Sequence, residues 1–360
     1  MRRIIILIIA ASLSACNNMQ TPFSTSGFGV VVEVDLDDVK NVNINDGEII
    51  ELEATDKSLL AYVNDLIIDD DKIFIISRSE VFAFDKSGHY LFNVGTRGRA
   101  ENEYMQADCI FMMGDSLAVF DWQSHRLLFY NTDGEYLSDR SIDKSEDGLT
   151  VSKIFPLSSD GYIVENVFQG LPGETPMFGR LNEDFGYEYS YSGLYRQDGA
   201  FYGNLSVGTA NTLLYGGLFS DSVYRAAPDN KAIEFAYYID FGKYKFPESL
   251  KRGKENYQLI QMLNDDETLT EKFVTFLMYR NETKDKFRFL FGFRKAAHYV
   301  EYDRESGDVK TIKIEDPNGK LKPQTELFAH YMEDGFYILA KSDDIDSNPV
   351  LVRFGYDVFE

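Results

Sequence analysis

Arg78, Arg97, Trp122, His125, Arg126, Arg294 and Lys295 punctuate the ends of β-rich runs, and the pair Glu103-Tyr104 follows the second of these arginines. An arginine presents a planar fork of donors that grips a carboxylate or phosphate through two parallel hydrogen bonds, and a neighbouring aromatic ring covers the apolar side of the same ligand. The chemistry these residues offer is therefore recognition of an anion, such as an acidic sugar, a peptide carboxylate or a phosphate. The competing use of the same side chains is structural, as ion pairs with Asp108, Asp121 and Glu80 nearby.

Signatures of catalysis are thin. Gly95-Thr96-Arg97-Gly98-Arg99 lacks the Gly-Lys-Ser/Thr ending of a phosphate loop and does not enter a helical pattern. The histidines at 89, 125, 298 and 330 have no metal-ligand spacing, and no Gly-x-Ser-x-Gly elbow is present. Cys109 sits in the apolar run Ala107-Asp108-Cys109-Ile110-Phe111 and reads as a buried, unreactive thiol. No cofactor is expected.

The elements that must position these residues begin with an export signal. Met1-Arg2-Arg3 precedes an apolar stretch from Ile4 to Ala11, then Leu13-Ser14-Ala15-Cys16, and the chain turns polar at Asn17. The apolar run is far below the roughly 18 residues that span a bilayer, so it reads as a cleaved signal. Leu-Ser-Ala-Cys resembles the lipobox of bacterial lipoproteins, which implies lipidation at Cys16 after removal of residues 1–15. Several acyl chains give stable anchoring where one does not. Surface-exported lipoproteins of Bacteroidota carry an acidic cluster soon after the cysteine, whereas Asn17 to Gly29 contains no acidic residue. The expected location is the periplasmic side of the outer membrane, with the membrane contacted through the lipid anchor alone.

Loss of Arg2 and Arg3 with the signal takes the formal charge from −23 to −25. A surface so negative repels nucleic acid, whose binding relies on neutralising phosphates with Lys and Arg. Phe (28) and Tyr (23) outnumber Pro (9), and short β-branched runs are frequent, which points to an all-β chain.

Those runs repeat. A short β run, an acidic or Gly turn, a second β run and a polar-Gly turn recur, the second runs beginning near Ile73, Leu117, Tyr162, Leu213, Phe289 and Phe336. Their spacings are 44, 45, 51, 76 and 47 residues. The outlier contains 248–279, where Leu250, Leu259, Ile260, Leu263, Leu269, Phe273 and Phe276 fall at helical spacing among charges. Removing that insertion restores a period in the mid-forties, the length of a four-stranded propeller blade. Turns recur in register at Asp85-Lys86-Ser87-Gly88, Asn131-Thr132-Asp133-Gly134, Asn182-Glu183-Asp184-Phe185-Gly186, Pro228-Asp229-Asn230 and Asp303-Arg304-Glu305-Ser306-Gly307. The expected fold is a six-bladed β-propeller over 30–360, after a polar linker at 16–29, with a helical insertion between blades four and five. The last unit runs out after three strands, so Val30 to Val34 is expected to pair into it and close the ring.

Phe82-Ala83-Phe84-Asp85-Lys86-Ser87-Gly88, Val94-Gly95-Thr96-Arg97-Gly98, Glu103-Tyr104 and Phe219-Ser220-Asp221-Ser222-Val223-Tyr224 resemble segments of the six-bladed β-propeller lipoproteins of Bacteroidota, relatives of the NHL-repeat propellers. Members usually carry Gly-Pro-Gly before the Glu-Tyr pair, where this chain has Arg99-Ala100-Glu101-Asn102. The family is recognised by fold and implies no agreed activity. Propeller topology sends Asp69-Asp70-Asp71, Asp115, Asp160, Glu333-Asp334 and the polar-Gly turns to one face. It sends Arg78, Arg97, Arg99, Trp122, His125, Arg126, Arg294, Lys295, the insertion and the loop from Gln169 to Pro176 to the other. The function expected is non-enzymatic binding or scaffolding of a glycan, peptide or envelope protein. The alternative is a divalent-metal-dependent propeller hydrolase or lactonase holding calcium near Asn64-Asp65, Asp108 and Asn204.

Overall fold

The computed structural model describes residues 29–143, 148–157, 161–167, 176–193, 203–208, 212–227, 231–317, 321–323, 329–342 and 346–360. Among them the strands form six sheets, each built around antiparallel pairs of consecutive strands. Blade one consists of Asp65–Ile68, Lys72–Ser77, Glu80–Asp85 and Tyr90–Val94, and blade two of Cys109–Met113, Ser116–Asp121, Arg126–Asn131 and Tyr136–Ser141. Blade three takes Thr150–Pro156, Tyr162–Val167, Phe178–Leu181 and Tyr187–Ser190, and blade four Gly203–Gly208, Thr212–Gly217, Ser222–Ala226 and Glu234–Asp240. Blade five comprises Thr275–Glu282, Lys286–Phe293, Ala296–Asp303 and Val309–Glu315. Blade six has a first strand in two pieces, Leu321–Pro323 and Ala329–Tyr331, followed by Gly335–Ser342 and Val350–Gly355.

First strands of neighbouring blades meet one another and line the axis. Second and third strands are covered on both sides, which is why Ile73–Ser77 and Leu117–Asp121 are buried without interruption and read as continuous apolar runs instead of alternating ones. The core lies between blades. Phe74 and Ile76 of blade one meet Leu117 and Val119 of blade two, and the pattern continues around the ring until Tyr337 and Leu339 of blade six meet Ile73 and Ile75 of blade one.

Closure differs from the sequence expectation. Val30–Glu33 does not enter the last blade; it adds a parallel fifth strand to blade four, with Val30 opposite Tyr237 and Glu33 opposite Asp240. Lys40–Asn43 then adds a parallel fifth strand to blade five. The strand that completes blade six is Glu48–Glu51, antiparallel to Val350–Gly355. The amino-terminal segment is thus a belt across the rims of three blades. Its apolar side chains explain the placement: Val32, Val34 and Leu36 join the core between blades four and five, Val42 and Ile44 that between five and six, and Ile50 and Leu52 that between six and one. Asn348 locks the end of the belt, accepting from the Leu60 amide at 2.7 Å and donating to Glu53 and Ser58 carbonyls at 2.9 and 2.8 Å.

The insertion is shorter than 248–279. Helices occupy Glu248–Lys251, Asn256–Asp265 and Thr268–Lys272, and the inner strand of blade five begins at Thr275. Leu259 and Leu263 bury against Leu218, Phe219 and Phe246, so the apolar stripe is the face that packs on the propeller. No helix among the described residues is long and apolar enough to cross a membrane.

Candidate functional site

Connections from first to second strand and from third to fourth strand share one side of the ring, and their described members carry Asp69, Asp70, Asp71, Asp115, Asp133, Glu135, Asp184, Glu305, Asp308 and Asp334. We call this the turn face. The remaining connections, including the belt's exit at 52–64, the segment 95–108 and the helical insertion, form the opposite, arginine face. Pro228-Asp229-Asn230, Asp160, residues 169–175, the Asn204 side chain and Cys16 lie outside the described residues.

Two hairpins of the arginine face turn in an uncommon way. Ser77 pairs with Glu80 and Phe293 with Ala296, leaving Arg78-Ser79 and Arg294-Lys295 as two-residue turns. All four residues have positive φ: 52° and 63° in the first turn, 50° and 56° in the second. That geometry usually selects Asn-Gly, and a side chain there costs about 1–2 kcal/mol per residue. His125, with φ 52°, sits in the corresponding loop of blade two.

Around blades one and two the loops are tied into one platform. The buried Asp121 carboxylate accepts from the Met105 amide (2.7 Å), the Ser124 hydroxyl (2.7 Å) and the Gln123 amide (3.0 Å). Asp108 accepts from the Trp122 amide at 2.8 Å and from Gln106 Nε2 at 2.6 Å, and burial raises its pKa against those hydrogen bonds. The Ala107 amide donates to the Ser79 carbonyl at 3.1 Å, and the Ala61 amide to the Ser77 hydroxyl at 3.1 Å. Four segments, bearing Tyr62, Arg78, Arg97 with Arg99, and Trp122, are therefore held together through short polar contacts. Tyr62 is 48% exposed and Trp122 39%.

The structure separates the residues singled out from the sequence. Glu103 and Tyr104 build the loop. Glu103 Oε2 accepts from the Ala100 amide at 2.9 Å and lies so near Gly98 that a Cβ there would sit 1.8 Å away. Tyr104 is buried; its hydroxyl donates to the Val94 carbonyl at 3.0 Å and accepts from the Val81 amide at 3.2 Å, and burial pushes its pKa up to about 12. Arg126 is engaged by Asp139 at 3.0 Å, and Lys295 by Glu267 of the insertion. Arg294 lies over the Phe293 ring at 4.8 Å and near Tyr244 at 5.7 Å. Arg78, Arg97 and Arg99 are exposed and have no carboxylate within 4.0 Å among the described residues; Arg97 Nε donates to the Met105 carbonyl at 3.3 Å. The ion-pair partners are thus Asp139 and Glu267, while Asp108 and Asp121 spend their oxygens on loop donors. Tyr62 and the organising role of Asp121 were not singled out from the sequence; the signal for the second was an Asp at a strand end with Ser three residues on, a turn-forming pattern.

Near the axis, Asp65 accepts from the Leu66 amide at 2.9 Å and the Ile110 amide at 3.3 Å, and burial raises its pKa in spite of the Lys153 charge nearby. No group of three His, Cys, Asp or Glu side chains that could hold a metal ion occurs among the described residues. Cys109 is buried, and that burial pushes its thiol pKa up to about 12, which keeps it protonated and unreactive.

Solved structures share the architecture. A Bacteroides fragilis NCTC 9343 protein named as exported (BF0058) superposes with a TM-score of 0.64 at 15% identity, over 91% of this chain and 99% of its own. A DUF4221 family member from Bacteroides vulgatus gives a TM-score of 0.56 at 11% identity, over 85% of this chain and 96% of its own. At these identities the likeness is one of fold. No curated protein matches the chain. The model of a domain of unknown function, DUF4934, matches residues 33–350, nearly the whole propeller with most of its belt, and the chain belongs to the DUF4934 family.

Proposed function

We propose that this chain is an exported, lipid-anchored binding module that holds an anionic partner, in the form of a glycan, peptide or envelope-protein surface, on the arginine face of blades one and two without transforming it. The observation that carries this reading is the set of exposed arginines, Arg78, Arg97 and Arg99, which meet no carboxylate within 4.0 Å among the described residues, on a hydrogen-bonded platform that also exposes Trp122 and Tyr62. Rigid scaffolds with functional loops are the usual way such sites are made, and the left-handed Arg78 turn keeps a costly residue where Asn would be easier. The signal sequence, Cys16 and the lack of acidic residues in Asn17 to Gly29 support a position on the periplasmic side of the outer membrane.

A thermal-shift screen of uronic-acid oligosaccharides, carboxylate-terminated peptides and inorganic phosphate identifies the ligand class. Its affinity falls as salt rises, because exposed charges are screened over about 8 Å at physiological ionic strength. Combining Arg78→Asn with Arg97→Ala weakens binding by about tenfold or more, since a hydrogen bond to a charged group contributes about 1.5–3 kcal/mol. Asn relieves the left-handed strain at position 78, so the melting temperature does not fall. Binding unchanged in that variant rules out this face. Separately, Cys16→Ser abolishes fatty-acid labelling and releases the protein from membranes; unchanged fractionation and mass would contradict the anchor.

A further inference from the structure

We infer that the platform of blades one and two takes an acidic oligosaccharide, a chain of uronic-acid rings whose carboxylates meet Arg78 and Arg97 while a ring face lies on Trp122. The inference rests on the proposed function, which makes the partner an anion, and it narrows that partner to one class.

Repeat position puts the two chemistries side by side. Ser77 ends the second strand of blade one and Asp121 that of blade two, so Arg78 and Trp122 open equivalent connections in neighbouring blades. Two short hydrogen-bonded paths tie them and Arg97 together. Ser79, next to Arg78, accepts from the Ala107 amide at 3.1 Å, and the adjoining Asp108 accepts from the Trp122 amide at 2.8 Å. Arg97 Nε donates to the Met105 carbonyl at 3.3 Å, and the Met105 amide donates at 2.7 Å to Asp121, the residue before Trp122. On the other side of Arg78, the Ser77 hydroxyl accepts from the Ala61 amide at 3.1 Å, which sets Tyr62 beside the same turn. Arg78 therefore stands between two exposed aromatic residues, Tyr62 and Trp122.

That combination selects among anions. A pyranose ring offers a face of C–H bonds to an aromatic ring and hydroxyls to the polar tips of Trp and Tyr, and its carboxylate takes two parallel bonds from an arginine. Inorganic phosphate uses the arginines and leaves both rings in water. An extended peptide is commonly held through its main chain, as a strand added to an open sheet edge. The platform's main-chain donors turn inward instead: the amides of Gly98, Tyr104, Met105, Ala107, Trp122 and Gln123 all donate within the protein. The outermost strands of blades one and two, Tyr90–Val94 and Tyr136–Ser141, lie on the rim and not on this face. Recognition here falls to side chains, which suits rings and carboxylates.

Trp122 is the chain's single tryptophan, so its emission reports the site directly. The test titrates the trisaccharides of galacturonate, glucuronate and mannuronate, triglutamate, and inorganic phosphate into the full mature chain, followed by fluorescence and calorimetry. At least one trisaccharide should bind about tenfold or more tightly than triglutamate, shift the emission to the blue as the ring leaves water, and bind about fivefold or more weakly to Trp122→Ala. Methyl esterification of that trisaccharide keeps the rings and removes the charges, and should weaken binding by about tenfold or more. Trp122→Phe keeps a ring and should bind within about threefold of the parent, which separates stacking from damage to the loop. Triglutamate or phosphate binding as tightly as the best trisaccharide overturns the inference and leaves the proposed function standing. So does a bound trisaccharide that leaves the emission unchanged, or an equal loss of affinity in the Ala and Phe variants. Failure of all these anions to bind overturns the inference and the proposed function together.

Discussion

A chain that starts at residue 54, without the belt, should not yield a soluble, cooperatively folded monomer. The deletion removes Val32, Val34, Leu36, Val42, Ile44, Ile50 and Leu52, all buried in the cores between blades four, five, six and one. Burying each such side chain contributes about 1.5–3 kcal/mol, so their combined loss, on the order of 10–20 kcal/mol, is as large as the roughly 5–15 kcal/mol by which folded proteins usually exceed their unfolded states. It also leaves three outer strands with open edges, which invites aggregation. A chain that starts at residue 47 separates closure from rim covering. It keeps Glu48–Glu51 in blade six and should remain folded, with a lower melting temperature and more association at high concentration. Equal melting temperatures for the mature chain and the form starting at 54, measured by calorimetry, would show that the belt is an accessory and the ring closes without it.

Glu282→Ala should be the most damaging single substitution. Glu282 is 1% exposed at the end of the inner strand of blade five, and it joins that blade to blade four. Its carboxylate accepts from Arg225 Nε at 3.0 Å and from Arg225 Nη2, from the Tyr237 hydroxyl, and from Thr212 Oγ1 at 3.4 Å, with Arg304 Nη2 3.6 Å away. Burial and the adjacent Glu282 charge hold the Tyr237 hydroxyl well above its ordinary pKa, so it stays a donor to Glu282. Tyr237 in turn stacks on Phe287 with centroids 3.9 Å apart, so the polar cluster rests on the core between the two blades. Alanine strands a desolvated guanidinium and an unpaired hydroxyl, a loss of about 3–5 kcal/mol. Glu282→Gln keeps the shape and part of the hydrogen bonding and should lose less. Pairing Glu282→Leu with Arg225→Met should recover much of the loss, because removing both charges removes the desolvation penalty as well. A melting temperature for Glu282→Ala within a degree or so of the parent would mean that the cluster is not what holds these blades together.

The blades were legible in the sequence because second strands are covered on both sides. The runs beginning near Ile73, Leu117, Tyr162, Leu213, Phe289 and Phe336 all fall in second strands, and each is too apolar to be anything exposed. The belt was not legible for the opposite reason. Lys40–Asn43 and Glu48–Glu51 each bury one residue fully and expose charged neighbours, so four-residue segments with a single apolar contact resemble loops. Val30 to Val34 carried the stronger β signal and attracted the closing role, although the rim of the last blade needs little more than Ile50. Spacing placed the arginines on one face but could not say which were engaged. Arg126 meets Asp139 across a hairpin whose register shifts near Tyr130, and Lys295 meets Glu267 only because the insertion folds back over its hairpin. Both partners depend on three-dimensional placement that periodicity does not encode.

On the proposed function, the platform of blades one and two, and not the acidic turn face, holds an anionic partner. Titration of the screened ligand into the mature protein and into the Arg78→Asn/Arg97→Ala variant, each at low and physiological salt, tests it most directly. Affinity should weaken with salt in the parent, and binding should be about tenfold weaker or worse in the variant, with a flatter salt response and no loss of thermal stability. Equal affinity and equal salt dependence in the two proteins would contradict it.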